Sequence, residues 1–289
     1  MKINVYTINA FAKTSQGGNP AGIVFDADFL SDEEMKNIAA AVGFSETAFV
    51  SHSAIADFKL RFFTPSEEVD LCGHATIGTF FTMFTLGRIK PGSYTQETKA
   101  GLLEITIEGD GFVMMEQSAP VFSEIAPNDD IAQSLGIDPA QICADLPIQV
   151  VSTGLRDVIV PVQNKVILNS LHPDMQKIEQ ISRRFDTIGY HVFCLEPSAD
   201  NTVFCRNFAP LYGIPEEAAT GTSNGALACY LYQYGKLSKA QELNMIFNQG
   251  DAVERPSEIR VSLSIRENEI SAVRVGGRAM DLSLIEIEQ

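Results

Sequence analysis

The chain has 289 residues, 21 basic and 37 acidic, for a formal net charge of −16, with 45% hydrophobic and 20% charged side chains. That balance is ordinary for a folded soluble protein and excludes a basic nucleic-acid face, electrostatic docking to anionic lipid, and disorder. The length predicts two domains or one large one.

Met1-Lys2-Ile3-Asn4-Val5-Tyr6 reads as a strand and lacks the unbroken apolar core of a signal peptide, so a cytoplasmic protein is expected. Ser31-Asp32-Glu33-Glu34 is a capping box opening a helix with Met35, Ile38, Ala39 and Val42 on one face. Phe58–Phe63 reads as a strand, and Leu102–Ile107 with Phe112–Glu116 as a hairpin around Glu108-Gly109-Asp110-Gly111. A domain boundary is expected near Ser118-Ala119-Pro120, giving domains 1–117 and 118–289 with the last strand packing back on the first. Thr202–Phe208, Ile259–Ile265, Glu269–Val275 and Leu282–Ile287 are further strands.

The two halves repeat a pattern. Arg61-Phe62-Phe63-Thr64-Pro65 and Arg206-Asn207-Phe208-Ala209-Pro210 both read Arg-x-Phe-x-Pro. Cys72-Gly73-His74 and Thr220-Gly221-Thr222 follow, and a second Gly stands fourteen residues after each first one, at Gly87 and Gly235. From Gly73 to Ile89 the offset between copies is constant at 148. Each copy predicts a strand, a Gly turn and then a helix, over Thr76–Leu86 and Asn224–Tyr234. Ile77, Phe80, Phe81 and Phe84 in one, and Leu227, Tyr230, Leu231 and Tyr234 in the other, keep helical spacing. Neither helix holds an acidic or basic residue, so each is expected to be enclosed on all sides. The surrounding charge-free stretches, Leu71–Gly87 and Ala218–Gly235, are too short and too polar to span a bilayer.

Two Gly turns opening two enclosed helices create clusters of unpaired N–H groups that favour anions. Gly73, His74 and Ala75, with Gly221, Thr222 and Ser223, would line such sites; the other reading is that the glycines only permit tight turns. His74, alone of the four histidines, lies inside a repeat motif, at a helix entrance. Glu46, in Ser45-Glu46-Thr47-Ala48-Phe49-Val50, reads either as a solvated carboxylate at a helix exit or as a base entering the core, where apolar surroundings would raise its pKa. Glu216 and Glu217 read as partners of a helix dipole. Cys72, Cys143, Cys194, Cys205 and Cys229 form no CxxC pair and read as free buried thiols. No Cys and His cluster has zinc-site spacing, so no metal is expected.

Gly18-Asn19-Pro20-Ala21-Gly22, Ser45-Glu46-Thr47-Ala48-Phe49 and Val69-Asp70-Leu71-Cys72-Gly73-His74-Ala75-Thr76 resemble the phenazine-biosynthesis isomerase (PhzF-like) family. So do Thr220-Gly221-Thr222-Ser223-Asn224-Gly225 and Asn248-Gln249-Gly250. The resemblance implies an α+β, diaminopimelate-epimerase-like fold: two pseudo-symmetric domains, each a barrel-like, mostly antiparallel sheet around a central helix, with a cleft between them. It implies cofactor-free proton transfer at carbon on a small carboxylate, giving isomerisation or epimerisation, in a homodimer. It places catalytic roles on Glu46, His74, Glu217 and Thr222, the last two departing from the usual Asp and Ser. Substrate contacts fall on Asn19, Gly73, Ala75, Gly221, Ser223, Gln249 and Gly250. A racemase of amino or hydroxy acids and a non-catalytic binding protein are the rival readings. The two-thiol arrangement of related epimerases is disfavoured, because the partner of Cys72 would be Thr220.

Overall fold

The computed structural model describes residues 2–196, 202–237 and 242–288. The chain forms two units, residues 1–116 with 276–289, and residues 117–275. Among the described residues no helix is long and apolar enough to cross a membrane.

Unit 1 runs β1 (Lys2–Ala10), β2 (Asn19–Val24), α1 (Asp32–Val42), β3 (Glu46–Ser51), β4 (Phe58–Phe63), β5 (Glu68–Val69), α2 (Gly73–Thr85), β6 (Gly92–Thr98), β7 (Gly101–Ile107) and β8 (Val113–Gln117). β1–β2, β3–β4, β6–β7 and β7–β8 pair antiparallel; β2–β3 and β4–β6 pair parallel. Ser31 and Glu34 form the reciprocal capping box that opens α1. Met35, Ile38 and Ala39 then bury its apolar face with Phe49 and Phe63, while Val42 is half-buried. The hairpin around residues 108–111 forms as its sequence predicts, with Ile107 opposite Val113.

Unit 2 runs β9 (Val121–Ile125), α3 (Asn128–Leu135), β10 (Gln149–Ser152), β11 (Arg156–Pro161), α4 (Lys165–Asn169), α5 (Met175–Phe185), β12 (Gly189–Leu195), β13 (Thr202–Ala209), β14 (Ile214–Glu217), α6 (Gly221–Gln233), β15 (Glu242–Gln249), β16 (Ser257–Arg266) and β17 (Glu269–Gly277). The chain then ends in β18 (Ala279–Glu288), which pairs antiparallel with β1 in unit 1. β9 pairs with β10 in the corresponding way. β10–β11, β12–β13 and β15–β16 are antiparallel, and β11–β12 and β13–β15 parallel, the same sequence of pairings as in unit 1.

The Arg-x-Phe pattern has a physical basis in both units. Residues i and i+2 of a strand share a face, so Arg61 lies over the Phe63 ring and Arg206 over the Phe208 ring, each at 5.0 Å. Each guanidinium grips a carboxylate with two nitrogens: Arg61 on Glu68 at 2.7 and 2.8 Å, Arg206 on Glu216 at 2.9 and 2.7 Å. Glu216 is thus an ion-pair partner of a strand arginine rather than a helix-dipole residue.

α2 packs against β1, β2, β3 and β18; α6 packs against β10, β11, β12 and β16. Every residue of α6 from Gly221 to Leu231 is buried, as an uncharged helix requires. α2 is enclosed similarly until its last turn, with Ile77 and Phe80 fully buried; burying each such side chain contributes roughly 1.5–3 kcal/mol. Gly87 and Gly235 adopt the left-handed φ of 69° and 66°. The following N–H groups of Arg88 and Lys236 donate back to Met83 and Leu231 at 2.9 Å, closing both helices. Both helices begin three residues earlier than their apolar spacing predicts, at Gly73 and Gly221. Periodicity marks where side chains pack, whereas the first turn is set by backbone bonds, here Thr76 N–H to Cys72 and Asn224 N–H to Thr220.

Candidate active site

The fold gathers the sequence candidates into two groups, one in each unit. In unit 1, Glu46 is the first residue of β3 and His74 the second of α2. Their side chains are 16% and 6% exposed, and His74 Nε2 lies 3.2 Å from Glu46 Oε2. Asn19, the first residue of β2, sets its Nδ2 3.3 Å from the other ring nitrogen, Nδ1. Cys72 Sγ is 3.5 Å from Nδ1 and 3.8 Å from Nε2. Gly73 opens the helix and Ala75 is fully buried beside it.

The charges of this group follow from mutual contact. Burial alone would raise the Glu46 carboxyl, but the hydrogen bond and charge of His74, with Ser45 and Cys72, outweigh it and hold Glu46 below the ordinary carboxylate value. This corrects the expectation of a raised pKa: apolar surroundings were legible from Ala48-Phe49-Val50, while the cationic neighbour 28 residues along was not. Burial opposes a charged His74, yet the Cys72 sulfur and the Glu46 carboxylate together lift its pKa well above the ordinary value. Burial and the Glu46 charge push the Cys72 thiol up. Glu46, His74 and Cys72 thus form one buried group of mutually coupled side chains, in which the Glu46 pKa is lowered and those of His74 and Cys72 are raised.

The fold brings three residues together that no spacing in the sequence groups. Glu46, Cys72 and His74 each place a ligand atom within 4.8 Å of the others, although Glu46 is far from the other two in sequence.

In unit 2 the candidates enter a buried hydrogen-bonded network. Thr220 donates its hydroxyl to Glu217 at 2.5 Å. Gln249 accepts from Thr220 N–H and Asn224 Nδ2 at 3.2 and 3.0 Å, and donates to the Glu217 carbonyl and Thr220 Oγ1 at 2.8 and 3.0 Å. Those four bonds use the whole amide, so Gln249 holds the Glu217–Thr220 segment in place. Gly250 follows at φ 87°; a Cβ there would lie 2.2 Å from the Arg255 carbonyl and 2.6 Å from that of Ala218. Thr222 is buried and its carbonyl accepts from Thr153 Oγ1. Ser223 donates its hydroxyl to Asp157 at 2.5 Å.

Four further members of this network, Asp157, His191, Asn207 and Asn224, have no expected functional role from sequence, although Asn207 and Asn224 lie within its motifs. His191 Nε2 donates to Asn224 Oδ1 at 3.1 Å, and Nδ1 accepts from Asn207 Nδ2 at 3.2 Å. Asn224 is fixed in that sense because its Nδ2 donates to the Thr220 carbonyl and to Gln249. Burial lowers the His191 pKa to about 4, against the Asn224 bond, so this imidazole is neutral. Asp157 is 1% exposed. Burial pushes it up to about 7; Ser223 opposes the rise and the Glu217 charge adds to it. A signal was available, since Asp157 leads directly into Val158-Ile159-Val160, as Glu46 leads into its own core run.

The two helix starts share one more property. The helices α1, α4 and α5 are capped by the side chains of Ser31, Asn164 and Asp174. Neither Cys72 nor Thr220 caps α2 or α6 with its side chain. Their first-turn N–H groups have no carbonyl a turn back to bond, and the dipole there favours negative charge.

Residues 8–283 match the family described as phenazine biosynthesis-like protein, PhzC-PhzF. The chain is 34% identical to the uncharacterized isomerase YddE of Escherichia coli K12, over 98% of this chain and 97% of that one. It is 30% identical to the trans-2,3-dihydro-3-hydroxyanthranilate isomerase of Pseudomonas chlororaphis, over 94% and 95%. Among solved structures, the PhzF-family protein of Bacillus anthracis is 34% identical and superposes with a TM-score of 0.92 over the full length of both chains. At 12% identity a hydroxyproline epimerase from Agrobacterium vitis shares the fold, with a TM-score of 0.63 over 99% of this chain and 92% of that one. These likenesses agree with the diaminopimelate-epimerase-like architecture.

Proposed function

The chain belongs to the phenazine biosynthesis-like family and is an isomerase; from that premise we propose that it moves a proton between carbons, or inverts a carbon, of a small carboxylate-bearing metabolite without a cofactor, with Glu46 as the base. The observation that carries this reading is the Glu46–His74 pair at 3.2 Å, largely buried at the start of an uncapped helix.

In this reading Glu46 is ionised at neutral pH and accepts a C–H proton with no prior activation. Its lowered pKa makes it a weak base, so it suits a carbon acid whose conjugate anion is stabilised elsewhere. The N–H groups of Gly73 and His74, in the first turn of α2, provide that stabilisation for an enolate or carboxylate. His74 holds a second proton beside Glu46 and returns or relays it. Glu217 and Thr222 are assigned the same kind of role, orienting the substrate and returning the proton, from the uncapped start of α6. Asn19 steers the His74 ring, while Gly221 and Ser223 supply backbone N–H groups.

The two-thiol racemase has little support. Cys72 is protonated, and Thr220 at the matching position already donates its hydroxyl to Glu217.

The test is Glu46→Gln in D2O with a substrate the wild type turns over. The first compound to screen is the one in the name of the P. chlororaphis relative, followed by enantiopure amino and hydroxy acids. Wild-type enzyme should place solvent deuterium on a substrate carbon, and the variant should do so about 10²–10⁴-fold more slowly. Unchanged exchange would remove Glu46 as the base.

A further inference from the structure

Asp157 and Ser223 form a buried pair at the start of α6, and the rest of the unit 2 network dictates its polarity. The Thr220 carbonyl can only accept, so Asn224 Nδ2 donates to it and Asn224 Oδ1 accepts from His191 Nε2. His191 Nδ1 then accepts from Asn207 Nδ2, which also donates to Ser223 Oγ at 3.3 Å. Ser223 Oγ is thus an acceptor toward Asn207, and its one proton goes to Asp157 Oδ2 at 2.5 Å. A proton on Asp157 is therefore carried by the other oxygen, Oδ1. Ser223 donates to Oδ2 whether Asp157 is neutral or ionised. Titration of Asp157 changes the charge beside the first turn of α6 and leaves its hydrogen bonds in place.

The surroundings make that charge matter. Among the described residues the buried Asp157 carboxyl meets one hydrogen bond, from Ser223, and one charge, that of Glu217 on β14. Glu217 stands opposite Asn207 in the β13–β14 ladder. β10 and the first turn of α6 bring no acidic or basic side chain to Asp157. β12 brings His191, which is neutral. Arg156, next to Asp157 on β11, points to the opposite face, where it bonds to Ser123, Glu124 and the carbonyls of Phe185 and Asp186. A further negative charge arriving at the start of α6 is repelled by an ionised Asp157, and like charges at close quarters favour protonation of one of them. Burial places the Asp157 midpoint at about 7, so both of its forms are populated near neutral pH.

We propose that Asp157 is a proton-linked positioning residue: the start of α6 takes the substrate carboxylate when Asp157 is protonated and repels it when Asp157 is ionised. The presence of a substrate carboxylate at that helix start rests on the proposed function. The Asp157 proton stays on Oδ1 in the bound state, and no substrate bond is made or broken by it. Substrate binding to the ionised form takes up one proton from solvent. Affinity is therefore full below the Asp157 midpoint and is lost as the pH rises through it.

The test uses the full chain. Aspartate labelled with carbon-13 in its carboxyl group, with Asp157→Asn to assign the signal, gives the Asp157 titration by nuclear magnetic resonance without any substrate. The midpoint should lie at about 7 and fall in Glu217→Gln, which removes the facing charge. With a compound that the wild type turns over, KM should rise about tenfold per pH unit above that midpoint, while kcat, read with the site filled, does not follow it. Asp157→Asn should remove the rise. Ser223→Ala removes a bond that favours the ionised form, so it should move the rise to higher pH. That variant serves if Asp157→Asn fails to fold by circular dichroism, and a merely structural role would not move the profile. A wild-type KM that is flat from about pH 6 to about pH 9, a rise that persists in Asp157→Asn, or an Asp157 midpoint of about 4 would overturn the proposal. The titration needs no turnover and the KM profile does not depend on which group is the base. Loss of the Glu46 assignment in the D2O experiment would leave both readable, so the two readings fail separately.

Discussion

The two units share strand order, pairing sense and central helix, yet their polar chemistry occupies different positions. The ladders can be matched through the paired arginines. Thr47 opposite Phe63 then matches Tyr190 opposite Phe208. One register earlier, Glu46 matches Gly189, and their parallel neighbours Ala21 and Asp157 match each other. At the helix starts the offset of 148 matches Cys72, His74, Ala75 and Thr76 with Thr220, Thr222, Ser223 and Asn224. Unit 1 therefore carries an ion pair and a thiol where unit 2 has two threonines and a glycine. Unit 2 carries a hydrogen-bonded network through Asp157, His191, Ser223 and Asn224 where unit 1 has three alanines and a threonine. Gly189 could not acquire the missing carboxylate, because a Cβ there would lie 1.9 Å from the Phe208 carbonyl. One backbone plan thus carries a buried carboxylate–imidazole–thiol cluster in one unit and a frame of hydrogen bonds in the other.

This division can be tested in order of expected effect. Glu46→Gln removes the only carboxylate of the unit 1 group, and activity should fall about 10²–10⁴-fold with the fold retained by circular dichroism. A loss below tenfold would shift the chemistry toward unit 2.

Asp157→Asn should act on stability. The carboxyl is raised from 3.8 to about 7 in the folded chain. Between those values the native state holds a proton that the unfolded chain has released, so wild-type stability falls as pH rises through that window and then levels off. The upper bound is about 4 kcal/mol for a shift of about three units. The asparagine variant lacks this slope, so its stability relative to wild type should climb from pH 4 to 7 in denaturant titrations. A constant difference would mean that Asp157 is ionised throughout.

Gly189→Ala should force β12 from β13 and destabilise unit 2 by about 1–3 kcal/mol through overpacking, as read from the denaturant midpoint. The smallest effect tests likeness rather than difference. Arg61→Lys and Arg206→Lys each replace a two-pronged grip by a point charge, and each should cost about 1 kcal/mol. Costs differing by more than that would show the two arginines to be unequal.

The repeat, the enclosed helices, the α1 capping box and the hairpin were legible in the sequence because each depends on residues close along the chain. Glu46 and His74 could be singled out as candidates for the same reason. What they do to each other could not, since a β-strand start and a helix start meet only through the fold. The same applies to the unit 2 network: Asp157, His191, Asn207, Asn224 and Gln249 come from four strands and a helix, and no spacing marks them as partners. Gln249 and Ser223 illustrate the consequence. Each sits in a motif pointing to substrate, while the Gln249 amide and the Ser223 hydroxyl bond to the protein itself.

The contrast between units is most directly read from their two buried histidines. With ¹⁵N-labelled histidine, long-range proton–nitrogen correlation spectra distinguish the imidazolium from each neutral tautomer. At pH 7 His74 should be an imidazolium, protonated on both nitrogens, and Glu46→Gln should shift its titration downward. His191 should be neutral with its proton on Nε2, remaining so until the pH approaches 4. A neutral His74 at pH 7, or a His191 that gains charge near pH 6.5, would contradict the assignment of charge to unit 1 and of a neutral frame to unit 2.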